Sequence, residues 1–310
     1  MLFRSSTSPW GPFEPCPHNP ILTHRDQTSH SVQGTGHADL IEAHDGSWWL
    51  VFLAFRPLDR LYHHLGRETF LAPVTWTPDG WPVVSPTKTV DISMHVTTLP
   101  QQEEEAEPAR DDFAAPDLRF CWNFLRNPNT TDWSLTERPG WLRLYGSALT
   151  LDAQASPAFI GRRQQHFDCR VRTLLAFQPE HEGHEAGLTV LMNERHHYEI
   201  AITQEHGSRC IIVRRRIGDL VAIVARDVLE QAGPIELEIQ AEHDLYTFSY
   251  AYVGQTGRKL ATGATRYLST EVAGGFTGVY IGMYATSNGN GRTGPADFDW
   301  VEYRVPNGMV

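Results

Sequence analysis

Cysteine is scarce. The 310 residues carry only Cys16, Cys121, Cys169 and Cys210, far apart and never as Cys-x-x-Cys, which excludes the common zinc and thioredoxin-type spacings and leaves buried free thiols as the expectation. Long apolar runs are missing as well. The longest obvious one, Trp48 to Phe55, falls far short of the roughly 20 residues that span a bilayer, so no membrane partner is expected. Met1 to Trp10 lacks the apolar stretch of roughly 7–15 residues that a secretory signal needs, which places the chain as it stands in the cytoplasm or leaves its location unassigned. Positive charge is in deficit, with 26 Lys+Arg against 37 Asp+Glu and a net charge of −11. An acidic body repels a phosphate backbone, so no nucleic-acid partner is expected. The richest basic run, Arg214-Arg215-Arg216, sits among Ile212, Val213 and Ile217 and is expected to be a solvated strand face. No Gly-x-Ser-x-Gly elbow and no His-Glu-x-x-His occurs, which removes support for an α/β-hydrolase serine and for a zincin metal site. No oligomeric state follows from any of this.

What is present describes a folded, water-soluble protein: 41% hydrophobic and 20% charged residues supply enough apolar surface for a core. The length allows about two domains at roughly 150 residues each. Gln101 to Arg110 concentrates glutamates without an apolar anchor, so a solvated linker is expected at 99–110, between domains at 1–98 and 111–306. In the first domain, His37–Leu40 and Trp48–Phe55 flank Asp45-Gly46, and a second pattern at Thr75–Val84 flanks Asp79-Gly80, 34 residues on. Asp-Gly readily turns a hairpin. Recurrent antiparallel units of this kind imply propeller blades, although a propeller closes with about 4–8 of them and this segment supplies at most two. Beyond the linker, short alternating runs dominate, such as Ile235, Leu237 and Ile239 against Glu236, Glu238 and Gln240. Only Asp227 to Ala232 resembles a helical turn. The expected class is all-β, with a two-sheet sandwich as the second domain.

Four clusters carry possible chemistry. Gly289 to Gly294 spells Gly-x-Gly-x-x-Gly, but a dinucleotide site needs a helix after it, and Pro295 and another strand follow instead. His181-Glu182-Gly183-His184-Glu185 is expected to be a solvated acidic loop. Gly34-Thr35-Gly36-His37-Ala38-Asp39-Leu40 places an imidazole and a carboxylate at i and i+2, on one face of a strand, either as a site or as a histidine satisfied by a buried aspartate. His63 to Phe70 presents Arg67, whose fork of donors suits vicinal hydroxyls or a carboxylate, or else a salt bridge to Glu68 or Asp39.

Gly34 to Leu40, Trp48 to Leu53 and His63 to Phe70, in that order, resemble the later blades of the β-xylosidases and α-L-arabinofuranosidases of glycoside hydrolase family 43. Arg4 to Leu22 is similar to the segment that precedes those blades. Asp112-Phe113, Trp122 to Arg126 and Gly274 to Gly278 resemble that group's C-terminal concanavalin-A-like sandwich. The resemblance thus implies part of a five-bladed β-propeller, about two blades, followed by a β-sandwich. It further implies that His37 lies at the propeller axis near the sugar and can hold a central Ca2+ through water, with no cofactor required. Arg67 would contact the sugar, and Phe276 would close the pocket mouth so that only terminal sugars fit. The family is exo-acting and inverting, and its expected substrates are xylo-oligosaccharides or arabinosyl groups. Inversion needs a proton-donating carboxylic acid and a base carboxylate about 6.5–9.5 Å apart. The resemblance places both, and an orienting aspartate, ahead of the segment matching Arg4 to Glu14, so this chain is expected to lack them and to be inactive alone. The alternative is a non-catalytic module that binds carbohydrate, through platforms such as Trp122, Trp133 and Trp141, or closes a pocket together with a separate fragment.

Overall fold

Period-two alternation organises nearly every element of the chain. A computed structural model describes residues 1–103 and 107–306, in two compact units, Met1–Ala106 and Glu107–Val310. Among the described residues the helical segments are a 3-10 turn at Thr265–Leu268 and one α-turn, α1, at Thr270–Ala273. No helix is long and apolar enough to cross a membrane among the described residues.

The first unit contains a two-stranded ribbon, β1 (Arg4–Ser5) with β2 (Glu14–Pro15), and a four-stranded antiparallel sheet in sequential order: β3 (Gln33–Glu42), β4 (Trp48–Phe55), β5 (Glu68–Trp76) and β6 (Pro82–Val83). Two identical turns shape this sheet. Ala43 N–H donates to Ser47 C=O (2.8 Å) and Gly46 N–H to Ala43 C=O (2.9 Å); Thr77 and Gly80 repeat both bonds with Trp81 and Thr77 at 2.9 Å. Gly46 and Gly80 hold φ of 81° and 84°, which is why the dipeptide ends in glycine. Both Asp-Gly hairpins therefore belong to one sheet, as the β3–β4 and β5–β6 turns, and do not mark separate blades. A four-stranded meander is one propeller blade, so the unit holds one full blade-like sheet and a short ribbon. Its core joins Leu50, Phe52 and Ala54 of β4 to Ala72 and Val74 of β5, and to Cys16, Ile21, Leu22 and Val32 from the chain preceding the sheet.

The second unit is a sandwich. Its strands are β7 (Arg110–Asp111), β8 (Asn123–Phe124), β9 (Trp133–Ser134), β10 (Leu142–Tyr145), β11 (Ala158–Arg163), β12 (Cys169–Ala176), β13 (Glu185–Asn193), β14 (His196–Glu205), β15 (Ser208–Ile217), β16 (Leu220–Val228), β17 (Ile235–Ala241), β18 (Leu245–Tyr252), β19 (Arg258–Ala264), β20 (Tyr280–Thr286) and β21 (Pro295–Arg304). One sheet runs β19-β18-β17-β12-β21-β10-β9, with β7 on β21; the other runs β16-β15-β14-β13-β20-β11-β8. Leu188, Ile200, Val213 and Ile281 of the second sheet meet Val171, Leu237, Phe248 and Phe298 of the first in the main core. Arg110, at the end of the expected linker, pairs with Glu302 in the first strand of this sandwich. Residues 104–106 of that linker lie outside the described residues.

Three local expectations are corrected. Asp227 to Ala232 is not a helical turn, because Arg226 to Val228 pair with Ile212, Ile211 and Cys210 as the end of edge strand β16, and Gly233-Pro234 follows. Arg214-Arg215-Arg216 is half-buried rather than a solvated face. The run at His181 is only partly solvated: His184 and Glu185 are each 1% exposed. The arginine run and Glu185 share a cause. On the face of the seven-stranded sheet away from the core, Arg214 makes a two-pronged pair with Glu185 (2.8 and 2.6 Å) and bonds Glu199 (2.5 Å), while Tyr284 donates to Glu185 (2.5 Å). Glu199 also meets His197 Nδ1 (2.8 Å), His197 Nε2 meets Asp152 (3.0 Å), and Arg216 reaches Asp152 (2.9 Å). Burying charges is tolerated only when each is paired in this way.

Candidate functional site

The site strand is β3, and it is irregular by construction. Its register with β4 shifts twice, between Gln33 and Gly36 and between Gly36 and Asp39. Gly34 holds φ +64°, and a Cβ there would lie 2.0 Å from the Phe55 ring, so only glycine fits. His37 itself takes φ 52°, a left-handed conformation unusual for a side-chain-bearing residue. Such bulges re-aim side chains at functional positions. Plain i, i+2 alternation therefore does not relate His37 to Asp39. Both are exposed, and both line one open cavity of about 600 Å³ whose apolar wall includes Leu2, Phe3, Ile21 and Leu50. Of the two alternatives for this pair, an exposed pair lining a cavity is what the fold contains.

The start of β3 is anchored by His24. Its Nδ1 donates to Val32 C=O (2.6 Å) and its Nε2 accepts from Val90 N–H (3.0 Å), a pattern only the neutral ring can satisfy. Burial, above all, lowers its pKa below the ordinary 6.5.

Arg67 follows Gly66 and directly precedes β5. Gly36 pairs with Leu53 on β4, and Leu53 with Thr69 on β5, so His37 and Arg67 come to the same end of one sheet, two strand spacings or about 9–10 Å apart in the pairing direction. Glu68 is held by Arg56 through two bonds (3.0 and 2.8 Å), a pairing that sequence spacing did not signal. In the other unit, Phe276 is 71% exposed on a loop opened by Gly274 and Gly275 at φ 76° and 85°.

A hard cation such as Ca2+ takes oxygen ligands. His37 offers one nitrogen, and among the described residues no group of three or more His, Cys, Asp or Glu side chains is arranged to hold a metal. No chemistry is routed through such an ion. Gly289 to Gly294 lies in the turn between β20 and β21, with no helix for a pyrophosphate to meet. Trp122 is buried, with Nε1 donating to Asp111 (2.7 Å), and Trp141 is covered by the Arg138 guanidinium 3.5 Å from its ring, so neither is an open sugar platform.

A blade-like sheet carrying an exposed histidine and arginine at one end is thus followed in the chain by a two-sheet β-sandwich. Comparison with known proteins agrees. The description "Glycosyl hydrolases family 43" matches residues 1–82, and "Beta xylosidase C-terminal Concanavalin A-like domain" matches residues 110–304. The chain belongs to glycoside hydrolase family 43. It is similar to the non-reducing end α-L-arabinofuranosidase BoGH43B of Bacteroides ovatus, at 45% identity over 98% of this chain and 57% of that one. A xylosidase/arabinosidase of Butyrivibrio fibrisolvens is 32% identical over 93% of this chain and 56% of its own length. Among solved structures, the Bacteroides ovatus xyloglucan-locus GH43B superposes with a TM-score of 0.95 at 44% identity, covering 98% of this chain and 60% of that one. The GH43 protein BlXynB of Bacillus licheniformis gives a TM-score of 0.93 at 34% identity, with the same coverages. The chain thus spans less than two thirds of the length of these relatives.

Proposed function

We propose that the chain is the sugar-contacting and pocket-closing part of an exo-acting, inverting β-xylosidase/α-L-arabinofuranosidase that acts on xylan-derived oligosaccharides, and that it is inactive alone. His37 and Arg67 contact the terminal sugar and Phe276 closes the mouth of the pocket. The carrying observation is that His37 and Arg67 share one end of a sheet within residues that match the family 43 description. Inactivity rests on the carboxylates at hand. Inverting hydrolysis needs an acid and a base on opposite sides of the bond. The two beside these residues are Asp39, exposed, and Glu68, whose oxygens both engage Arg56. A cation held through water beside His37 belongs to the same proposal, and it would not supply the missing acid and base.

The exposed Phe276 on its glycine-hinged loop also favours a second reading, in which the chain acts as a pocket-closing module for a separate fragment. Reading the coding sequence upstream of Met1 separates the two. An in-frame continuation encoding further blades with two aspartates and a glutamate is expected; a stop codon immediately upstream would overturn the first reading in favour of the second.

A further inference from the structure

The outer face of the seven-stranded sheet contains a second cavity, open and of about 300 Å³, at the lower end of the roughly 300–1,000 Å³ usual for small-molecule sites. It lies wholly within the sandwich. Its floor is apolar and aromatic: Phe124, Leu125, Leu151, Phe159, Leu191 and Tyr280. Phe159 lies flat against the sheet because glycines occupy the facing positions 161 and 282; a Cβ on Gly161 would come within 2.4 Å of its ring, and one on Gly282 within 2.8 Å.

The rim is polar and balanced in charge. Glu194 Oε1 accepts from Gln154 Nε2 (2.9 Å). Arg126 spends Nη1 on Ala153 C=O (3.5 Å) and Ala155 C=O (2.6 Å), while its Nε and Nη2 donate to no described residue. Arg126 also holds φ 59°, an uncommon conformation of the kind that clusters at ligand sites. Thr277 adds a hydroxyl at the edge. Asn193 is already spent on Ala273 C=O (2.9 Å) and Arg195 N–H (3.0 Å), and so fixes the wall rather than offering a donor.

We infer that this cavity is a binding subsite for a neutral sugar, one or two pyranose or furanose rings. An aromatic and aliphatic floor fits the C–H face of a sugar ring. A planar guanidinium and a carboxylate at the rim fit vicinal hydroxyls, the first as donor and the second as acceptor. Because the two rim charges oppose one another, the cavity offers no net attraction to an anionic or cationic ligand. The inference rests on the sandwich and not on the roles proposed for His37, Arg67 and Phe276.

Titration calorimetry of the full 310-residue chain with xylobiose tests it. Saturable binding is expected, weakened about tenfold by Glu194→Gln, the cost of one charge-assisted hydrogen bond, and weakened likewise by Arg126→Lys. Binding that persists in His37→Ala belongs to the sandwich. Absence of saturable heat at millimolar xylobiose would overturn the inference, as would binding that is lost in His37→Ala but indifferent to Glu194→Gln and Arg126→Lys. Unchanged circular dichroism and melting temperature of the rim variants would separate lost affinity from lost folding.

Discussion

At the scale of single residues, the strictest requirement falls on Gly34. Its positive φ and its approach to the Phe55 ring, 2.0 Å from where a Cβ would stand, each oppose a side chain. Gly34→Ala is expected to cost about 2–4 kcal/mol, from backbone strain and overpacking together. Urea denaturation of the variant checks this, and a loss below about 0.5 kcal/mol would mean that β3 relaxes without the glycine. Arg214 carries a comparable load by charge. It stands between Glu185 and Glu199, 1% and 3% exposed. Arg214→Met leaves two buried carboxylates facing each other, and the sandwich is expected to lose about 3–5 kcal/mol. A denaturation midpoint equal to the wild type would show that the carboxylates find other partners.

At the scale of elements, two histidines give stability opposite pH dependences. Burial opposes charge on His197, but Glu199 and Asp152 more than reverse this and raise its pKa from 6.5 to about 9. A raised pKa stabilises the fold fully below 6.5, and that contribution is lost as pH rises through about 9. Urea midpoints for the sandwich should therefore fall between pH 6.5 and 9.5, and His197→Gln should flatten the fall; an equally steep profile in the variant would remove His197 as its cause. His24 has the depressed pKa of a buried neutral ring, so its contribution is present above 6.5 and lost as pH falls below it, loosening the start of β3. Much of this architecture is legible in sequence. The Asp-Gly turns, the alternation of β17 and β18 and the glycine pair ahead of His37 all signal their structures through short-range rules. Sheet membership is not legible, because two identical turns 34 residues apart look the same within one blade or in two. Neither is the double bulge in β3, since alternation assumes the regular pleat that a bulge breaks. The buried network escapes for a related reason. Charges at alternate positions of β14 and β15 look like a solvated face, and only the tertiary fold brings Asp152 and Tyr284 against them.

At the scale of the whole molecule, one complete sandwich accompanies one blade-like sheet and a ribbon, in a chain that spans 57% of the arabinofuranosidase it matches at 45% identity. Family membership and architecture follow from residues that are present. The proposed division of labour rests on an imidazole, a guanidinium and an aromatic ring for holding a sugar, with Asp39 exposed and Glu68 engaged by Arg56 as the carboxylates beside the first two. The most direct test of that division is pentose release by the purified 310-residue chain from aryl β-xylosides and aryl α-L-arabinofuranosides. The predicted result is no release above the uncatalysed blank. Turnover that is abolished by Asp39→Asn or Glu68→Gln would contradict it, because it would show that carboxylates of this chain perform the proton transfers themselves.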